Sequence, residues 1–322
     1  MIFTGKMHKK NILITGALGH IGSKVIREYA KREDVGKISI IDNFLTQRYY
    51  SLFNLPRNID YEFIEGDIRD KNLVEKATQD VDVVLHLAAI TDAPATLNKK
   101  EETMSVNLYG TKCVLEASVY NRVKRFIFPS TTSVYGEAEG IVDENTPIEQ
   151  LNPSSPYAAS KLEAEKIVIN ANGKNGIETI VLRNGTIFGT SVGMRFHTAI
   201  NKFVYLAATN KPLTIWDSAM NSKRPYLGLN DEIRAFQFVE ENGNPGEIYN
   251  VLTKNLTMDE IIKEIKRIKP NVKIEITRSP LLNQKPYEVS NEKFCSLGFS
   301  FKDKLEDCLR ESFELLGSIK NN

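Results

Sequence analysis

The chain runs to 322 residues with 41% hydrophobic side chains, enough to build one large domain or two unequal ones. Its 42 lysines and arginines against 41 aspartates and glutamates leave a net charge of +1, which removes the overall field that draws nucleic acid or a membrane surface; the basic KMHKK near the start reads as a solvated face. Cys113, Cys295 and Cys308 form no paired motif, His8, His20, His86 and His197 show no metal-ligand spacing, and no membrane-length apolar run or signal-peptide core is present. A soluble cytoplasmic protein with no metal, membrane or nucleic acid among its partners is expected.

NILIT (11–15) is a β-branched run that breaks at once into ITGALGHIG, where Gly16, Gly19 and Gly22 open a helix expected over about 21–31. Glycine lets the backbone turn tightly and approach a pyrophosphate, which then rests against the positive end of the helix. His20 and Ile21, between the last two glycines, join the candidate cofactor set. KISIID (37–42) follows, and Asp42 ends it 20 residues after Gly22. A carboxylate there accepts hydrogen bonds from the adenosine ribose hydroxyls and repels a 2′-phosphate, so NAD is expected rather than NADP, with Asn43 counted beside it.

YEFIEGD (61–67) ends in Asp67, which with Ile68 is expected within reach of an adenine; a turn or helix-capping aspartate is the other reading. After a short helix near 72–78 comes VDVVLHLAA (81–89), ending in Leu87, Ala88 and Ala89, where a cofactor can lie close over the carboxyl edge of a sheet. A long helix near 103–120 leads to RFIFPS (125–130) and the hydroxyl row Ser130, Thr131, Thr132 and Ser133 of PSTTSVYG. Such a row either satisfies its own turn or forms the edge of an active site. A helix near 154–171 then places Tyr157 and Lys161 four residues apart on one face, and TIVLR (179–183) closes the series. A tyrosine with a pKa of about 10 is a poor base at neutral pH, and a neighbouring ammonium lowers it. Downstream of a dinucleotide turn, the pair reads as a general base and its cation rather than a solvated helix face.

Strand–helix alternation with continuously apolar strands predicts an α/β fold, a doubly wound parallel sheet of the Rossmann type, over 8–183. After Arg183 the rhythm breaks, and 184–228 with 255–318 are expected to form a smaller C-terminal α/β lobe that binds substrate. DEIRAFQFVE and EIYNVL, within 229–254, are segments able to return to the sheet. A capping box at Thr257-Met258-Asp259-Glu260 starts a lobe helix that stops by Pro270.

The motifs TGALGHIG, IIDN, GDIRD, HLAA, STTSVYG, SPYAASKLEAE and VLRNGTIFG, in this order from about Lys10 to beyond Asp231, resemble the extended short-chain dehydrogenase/reductases, in the nucleotide-sugar epimerase and dehydratase branch. The resemblance implies a Thr131–Tyr157–Lys161 triad. Thr131 would orient the sugar hydroxyl, Tyr157 would take its proton, and Lys161 would hold the nicotinamide ribose and bias Tyr157. It implies a geometry-fixing Asn107 in the cofactor set, with a buried helix asparagine as the equal alternative. It also implies an arginine on the nucleotide phosphates at Arg224 and a substrate-loop arginine at Arg195; each has a surface arginine as its alternative. Thr132 joins the substrate set, and Thr186 stands where many 4-epimerases carry an asparagine.

Dehydrating relatives place an acid pair right after the triad hydroxyl, and decarboxylating relatives a glutamate one residue before Val-Tyr-Gly; here those positions are Thr132 and Ser133. Neither can serve as an acid or base for elimination. Cys113 reads as a core residue. The resemblance thus implies NAD-dependent oxidation at C4 of a nucleotide-activated sugar, most simply a 4-epimerase. The alternatives are a net 4-dehydrogenase that releases NADH and a 4-keto sugar, for example of a GDP-heptose, and a non-catalytic NAD-sensing regulator. A homodimer through a four-helix interface, built from the helices near 103–120 and 154–171, is also implied.

Overall fold

Strands apolar along their whole length must be covered on both faces, and the computed structural model, which describes residues 9–136, 138, 140–278 and 287–317, has that arrangement. Lys6, Met7 and His8 of the basic stretch, and position 318 of the expected lobe, lie outside the described residues. In chain order the first half comprises β1 (Lys10–Thr15), α1 (His20–Tyr29), β2 (Val35–Asp42), β3 (Asp60–Glu65), α2 (Lys71–Ala77), β4 (Val83–His86), α3 (Ala93–Thr96), α4 (Lys100–Met104), α5 (Thr111–Tyr120), β5 (Arg125–Thr131), β6 (Gly140–Val142), α6 (Pro156–Ile169) and β7 (Glu178–Asn184). The second half comprises β8 (Thr186–Phe188), α7 (Ala199–Ala208), β9 (Leu213–Trp216), β10 (Arg224–Gly228), α8 (Leu229–Asn242), β11 (Glu247–Val251), β12 (Lys254–Leu256), α9 (Met258–Ile268), β13 (Ile274–Thr277), β14 (Tyr287–Val289), α10 (Glu292–Ser296) and α11 (Leu305–Leu316).

The main sheet has seven strands in the order β11-β7-β5-β4-β1-β2-β3, all parallel. Alternate residues of each strand face opposite layers. Ile12, Ile14, Ile127, Ile180 and Leu182 pack with Val25, Ile26 and Tyr29 of α1 and Ile233, Phe236 and Val239 of α8. Leu13, Val84, Phe126, Phe128 and Val181 pack with Val74 of α2, Val114 of α5 and Ala164 and Val168 of α6. The lobe has its own core, in which Phe203 and Val204 of α7, Ile261 and Ile265 of α9 and Leu309 of α11 close on Ile215 and Tyr226.

Several expected boundaries shift. EIYNV returns to the sheet as its outer strand β11, whereas DEIRAFQFVE is helical, because Leu229, Ile233, Phe236 and Val239 recur at the three-to-four-residue spacing of one buried helix face. The fourth strand is regular only to His86, with Leu87 N–H adding a last ladder bond to Thr15 O at 3.0 Å. Phe294 and Phe299, placed in the lobe by sequence, instead join the core under α8, drawn there by an aromatic cluster with Phe238 and Phe301. The long helix is continuous through a π-helical turn, Ser105–Gly110, between α4 and α5. Among the described residues no helix is long and apolar enough to cross a membrane.

Helix α6, which carries Tyr157, is tied to the sheet by a buried ion pair. Arg183 of β7 donates to both carboxylate oxygens of Glu165, with Nη2–Oε2 at 2.8 Å, and also to the Tyr135 hydroxyl at 3.1 Å. Ser130 of β5 donates to the same carboxylate. Removing one ion from such a pair strands the other in low dielectric, at a cost of about 3–5 kcal/mol. Arg183→Met alone is therefore expected to destabilise the protein by about that amount in urea unfolding, and Arg183→Met with Glu165→Leu to recover most of it.

Candidate active site

Between β1 and α1 the chain turns on Gly16, whose φ of +65° favours glycine and whose added Cβ would sit 2.6 Å from the Ala88 Cα. Gly22 is fixed by packing as well, since a Cβ there would lie 2.5 Å from the Ala17 Cα. Gly19 differs. Its φ of −68° suits any residue, and a Cβ would meet only the Gly16 oxygen at 3.2 Å and the Arg48 Nη1 at 3.9 Å. A Cβ at Gly19 would thus press only on the turn's own carbonyl, without the sub-3 Å backbone clashes met at Gly16 and Gly22. The first helical bond is Ser23 N–H to Gly19 O at 3.0 Å, so the N–H groups of His20, Ile21 and Gly22 precede the ladder at the positive helix end. With Arg48 alongside, this donor set fits a pyrophosphate.

Asp42 stands beside the turn. Its Oδ2 accepts from Leu18 N at 3.1 Å and its Oδ1 from Phe44 N at 3.0 Å, which leaves each oxygen further acceptor capacity for ribose hydroxyls. Burial raises its pKa, while those amides and Arg48 favour the ionised form. Asn43 accepts from Leu45 N at 3.1 Å and bonds to Asp67. Asp67 is not the cap of α2, a role taken by Asp70; it is a turn aspartate whose carboxylate grips Arg69, with Nη2–Oδ2 at 2.6 Å, and Arg69 holds its pKa below the usual range. The adenine contact expected of Asp67 would have to share that carboxylate. The side chain of Ile68 is buried in the core under α2 and α5.

A buried hydrogen-bonded chain joins the cofactor edge to α6. Thr15 Oγ1 accepts from Ala88 N at 3.2 Å and lies 2.8 Å from His86 Nδ1; His86 Nε2 lies 2.9 Å from Thr111 Oγ1, which donates to Asn107 O. Because Thr111 spends its proton on that carbonyl, His86 Nε2 is the donor and Nδ1 the acceptor. Burial pushes the His86 pKa down to about 3, which keeps the ring neutral in this relay. The Asn107 amide clamps Ile90, accepting from its N at 2.8 Å and donating to its O at 3.0 Å, and donates to Ser160 Oγ at 2.9 Å. Ser160 in turn donates to Tyr157 O at 2.7 Å. Asn107 thus spends both its N–H groups within the protein. It braces the strand after Ala88 and Ala89 against the helix of Tyr157, from inside the π-helical turn.

Of the hydroxyl row, Ser130 and Thr132 are engaged within the protein: Ser130 donates to Glu165, and Thr132 donates to Asn184 O at 3.2 Å. That bond spends the proton of Thr132, expected in the substrate set, within the protein. Thr131, at the end of β5, accepts from Ser133 N at 3.1 Å. Burial raises the Tyr157 pKa, and Arg195 and Thr131 oppose this by favouring the phenolate. Arg195, which the Tyr157–Lys161 spacing does not bring in, is thus a cation that favours the phenolate. The Lys161 ammonium is buried, donates to Pro129 O at 2.8 Å and lies over the Phe128 ring at 4.4 Å. Burial pushes its pKa down to about 7, against the attraction of Glu165.

Arg195 is delivered by a loop, 189–198, docked on the phosphate turn. His20 Nε2 donates to Gly189 O at 3.0 Å, Gly193 donates to Ser23 Oγ at 2.9 Å, and Asn201 donates to Arg195 O at 3.2 Å. The guanidinium bonds to the Thr91 hydroxyl. On the opposite side Arg224 stacks over Tyr287 at 4.9 Å, and the Tyr287 hydroxyl donates to Thr132 O at 3.2 Å. Arg48, Thr91 and Tyr287 belong to no motif legible in the sequence, and tertiary placement alone identifies them; Ser160 lies within SPYAASKLEAE, where its spacing gives no sign of its part. Among the described residues no group of three or more His, Cys, Asp or Glu is placed to hold a metal ion.

With this geometry in hand, known proteins offer a comparison. The model of the NAD dependent epimerase/dehydratase family matches residues 12–251. A trifunctional UDP-glucose 4,6-dehydratase/UDP-4-keto-6-deoxy-D-glucose 3,5-epimerase/UDP-4-keto-L-rhamnose-reductase of Arabidopsis thaliana is 32% identical over 318 residues, covering 95% of this chain and 47% of the plant protein. The chain therefore spans about half the length of that relative. Among solved structures, the UDP-glucose 4-epimerase of Thermotoga maritima with UDP-glucose superposes with a TM-score of 0.84 at 25% identity, covering 94% of this chain and 97% of the other. The UDP-glucuronic acid 4-epimerase of Bacillus cereus in complex with NAD gives 0.83 at 26% identity, covering 95% and 96%.

The two helix-start glycines are expected to separate binding from folding. Gly22→Ala overpacks against Ala17 and should destabilise by about 1–3 kcal/mol in urea unfolding. Gly19→Ala should change stability far less, yet weaken NAD binding at least about tenfold in calorimetric titration, because its methyl group fills the space over the helix N–H groups.

Proposed function

Because this chain belongs to the NAD dependent epimerase/dehydratase family, we propose that it is a nucleotide-sugar 4-epimerase, with Tyr157 as the proton-transferring group and Thr131 as its aligning hydroxyl. The observation that supports the reading is Thr131 at the carboxyl end of β5 with Tyr157 in the first turn of α6, where Arg195 and Thr131 favour the phenolate against its burial. Gly16, Gly19, the first N–H groups of α1, Asp42 and Arg48 would hold the cofactor. Bound there, NAD supplies the acceptor, and later the donor, of a hydride.

Thr131 accepts one bond from Ser133 N, and with its proton directed to the phenol it keeps a lone pair that can accept from a sugar hydroxyl. Tyr157 takes the proton of the C4 hydroxyl as the C4–H bond is broken. Arg195 and Thr131 stabilise the phenolate that this requires, offsetting the burial that disfavours it. Tyr157 returns the proton once the 4-keto sugar has presented its other face. Arg224, stacked on Tyr287, is a planar donor suited to the nucleotide's phosphates.

Elimination of water needs a further acid and base, and the two positions after Thr131 hold Thr132, bonded to Asn184 O, and Ser133. This supports epimerisation over the dehydration named for the plant relative. For assembly we propose a homodimer through α5 and α6, supported by a groove between their outer faces lined by Leu115, Val119, Ile167 and Ala171.

A panel of UDP-, GDP- and dTDP-linked sugars incubated with the enzyme and NAD tests the reading. A C4-epimeric product with reduced nicotinamide never exceeding the enzyme concentration is expected. Reduced nicotinamide accumulating over many turnovers, or a 4-keto-6-deoxy product, would contradict it. Tyr157→Phe should lower kcat by about 10²–10⁴-fold with a small change in KM, as read by the same product assay.

A further inference from the structure

Behind Thr131 lies a second polar pair that the chemistry above does not use. Across the β5–β7 ladder Thr131 pairs in register with Asn184, so the two side chains share the α8 face of the sheet. Asn184 Nδ2 donates to Oε1 of Glu232 in the first turn of α8, at 2.5 Å. Glu232 is fully buried and Asn184 nearly so. Two atoms are left over, Asn184 Oδ1 and Glu232 Oε2, both buried and both without a hydrogen-bond partner. An ionised carboxylate with a single amide donor would be a costly thing to bury, as would an orphaned amide oxygen.

A proton on Glu232 resolves both at once. A carboxylic acid and a primary amide share complementary edges, N–H to C=O on one side and O–H to C=O on the other. We propose that Asn184 and Glu232 form a neutral acid–amide pair, Nδ2–H to Oε1 and Oε2–H to Oδ1, that positions the adjacent ends of β5 and β7 and hence the Thr131 hydroxyl. Asn184 is tied to that end a second time, because its backbone carbonyl accepts from Thr132 at 3.2 Å.

The surroundings hold the acid neutral. On α8, Asp231 is engaged with Arg234, Thr253 and the Lys302 and Asp303 N–H groups, and at the far end Glu240 takes Lys10 and Arg32. On β7, Arg183 is turned to Glu165 on the opposite face of the sheet. No charged group acts on Glu232; burial pushes its pKa up to about 8, and the Asn184 amide alone opposes this. Glu232 is a positioning residue. Its effect on catalysis rests on the role proposed for Thr131, whereas the pair itself does not.

Glu232→Gln is the informative variant, because its amide can make both bonds and cannot titrate. In the wild type an acid whose folded pKa is raised from 4.5 to about 8 binds more protons folded than unfolded, so stability falls as pH rises through that window and levels above it. Relative to E232Q, the wild-type folding constant is expected to drop about tenfold per pH unit between about pH 5 and pH 8 in urea unfolding. Parallel profiles would overturn the neutral pair whatever the enzyme's substrate. The wild type alone should also lose a protonated-carboxyl C=O infrared band between about pH 7 and pH 9; its absence would overturn the pair equally. If the pair positions Thr131, the wild type's kcat falls above about pH 8 through a group that E232Q lacks; identical alkaline limbs would overturn the positioning role.

Discussion

Gly193 has no room for a side chain: a Cβ there would lie 2.5 Å from the Gly19 oxygen and 2.6 Å from the Leu18 oxygen. The loop from the smaller lobe is therefore pressed against the turn that starts α1, and the bonds from His20 to Gly189 and from Gly193 to Ser23 hold it there. Much of the cleft depends on this contact. It places Arg195 where it acts on Tyr157, and it binds the lobe to the glycine turn instead of leaving it hinged over the sheet. His20 serves the contact as a neutral ring donating from Nε2, since burial together with Arg195 pushes its pKa down to about 3. The junction is therefore insensitive to pH across the physiological range.

The second support is the polar chain from Thr15 through His86, Thr111, Asn107 and Ser160 to Tyr157. Buried polar groups are costly unless paired, and a fully paired chain in a low dielectric is stiff. Every link here is made, so the segment after β4 at Ala88, the π-helical turn and the helix of Tyr157 are held as one piece. The Arg183–Glu165 pair adds a second tie between that helix and the sheet. Catalytic geometry in this protein is thus set from the sheet side by buried hydrogen bonds and from the lobe side by a close backbone contact.

Features set by local spacing were legible in the sequence. The glycine turn, the carboxylate ending β2, the strand–helix alternation, the capping box at Thr257 and the Tyr157–Lys161 face all follow from distances along the chain, and the structure has each of them. What was not legible depends on partners far apart in sequence. The Lys161 ammonium donates to the Pro129 carbonyl, and a further cation that favours the Tyr157 phenolate comes from residue 195. Asn107, Thr132 and Asp67 have the expected chemistry, but Ile90, Asn184 and Arg69 claim it. DEIRAFQFVE carries both β-branched and helical cues, and only its packing on α1 and the sheet decides between them. Arg48 and Tyr287 sit in segments with no periodicity, so no sequence pattern could have singled them out.

The account stands or falls on Arg195 as the cation that offsets the burial of Tyr157. The direct measurement is the titration of the Tyr157 phenol by NMR of ring-labelled tyrosine, assigned by loss of its signal in Tyr157→Phe, in the wild type and in Arg195→Gln. Since the guanidinium favours the phenolate, removing it is predicted to move the phenol pKa upward. A phenol that titrates identically in both proteins, or at lower pH without the arginine, would contradict the account.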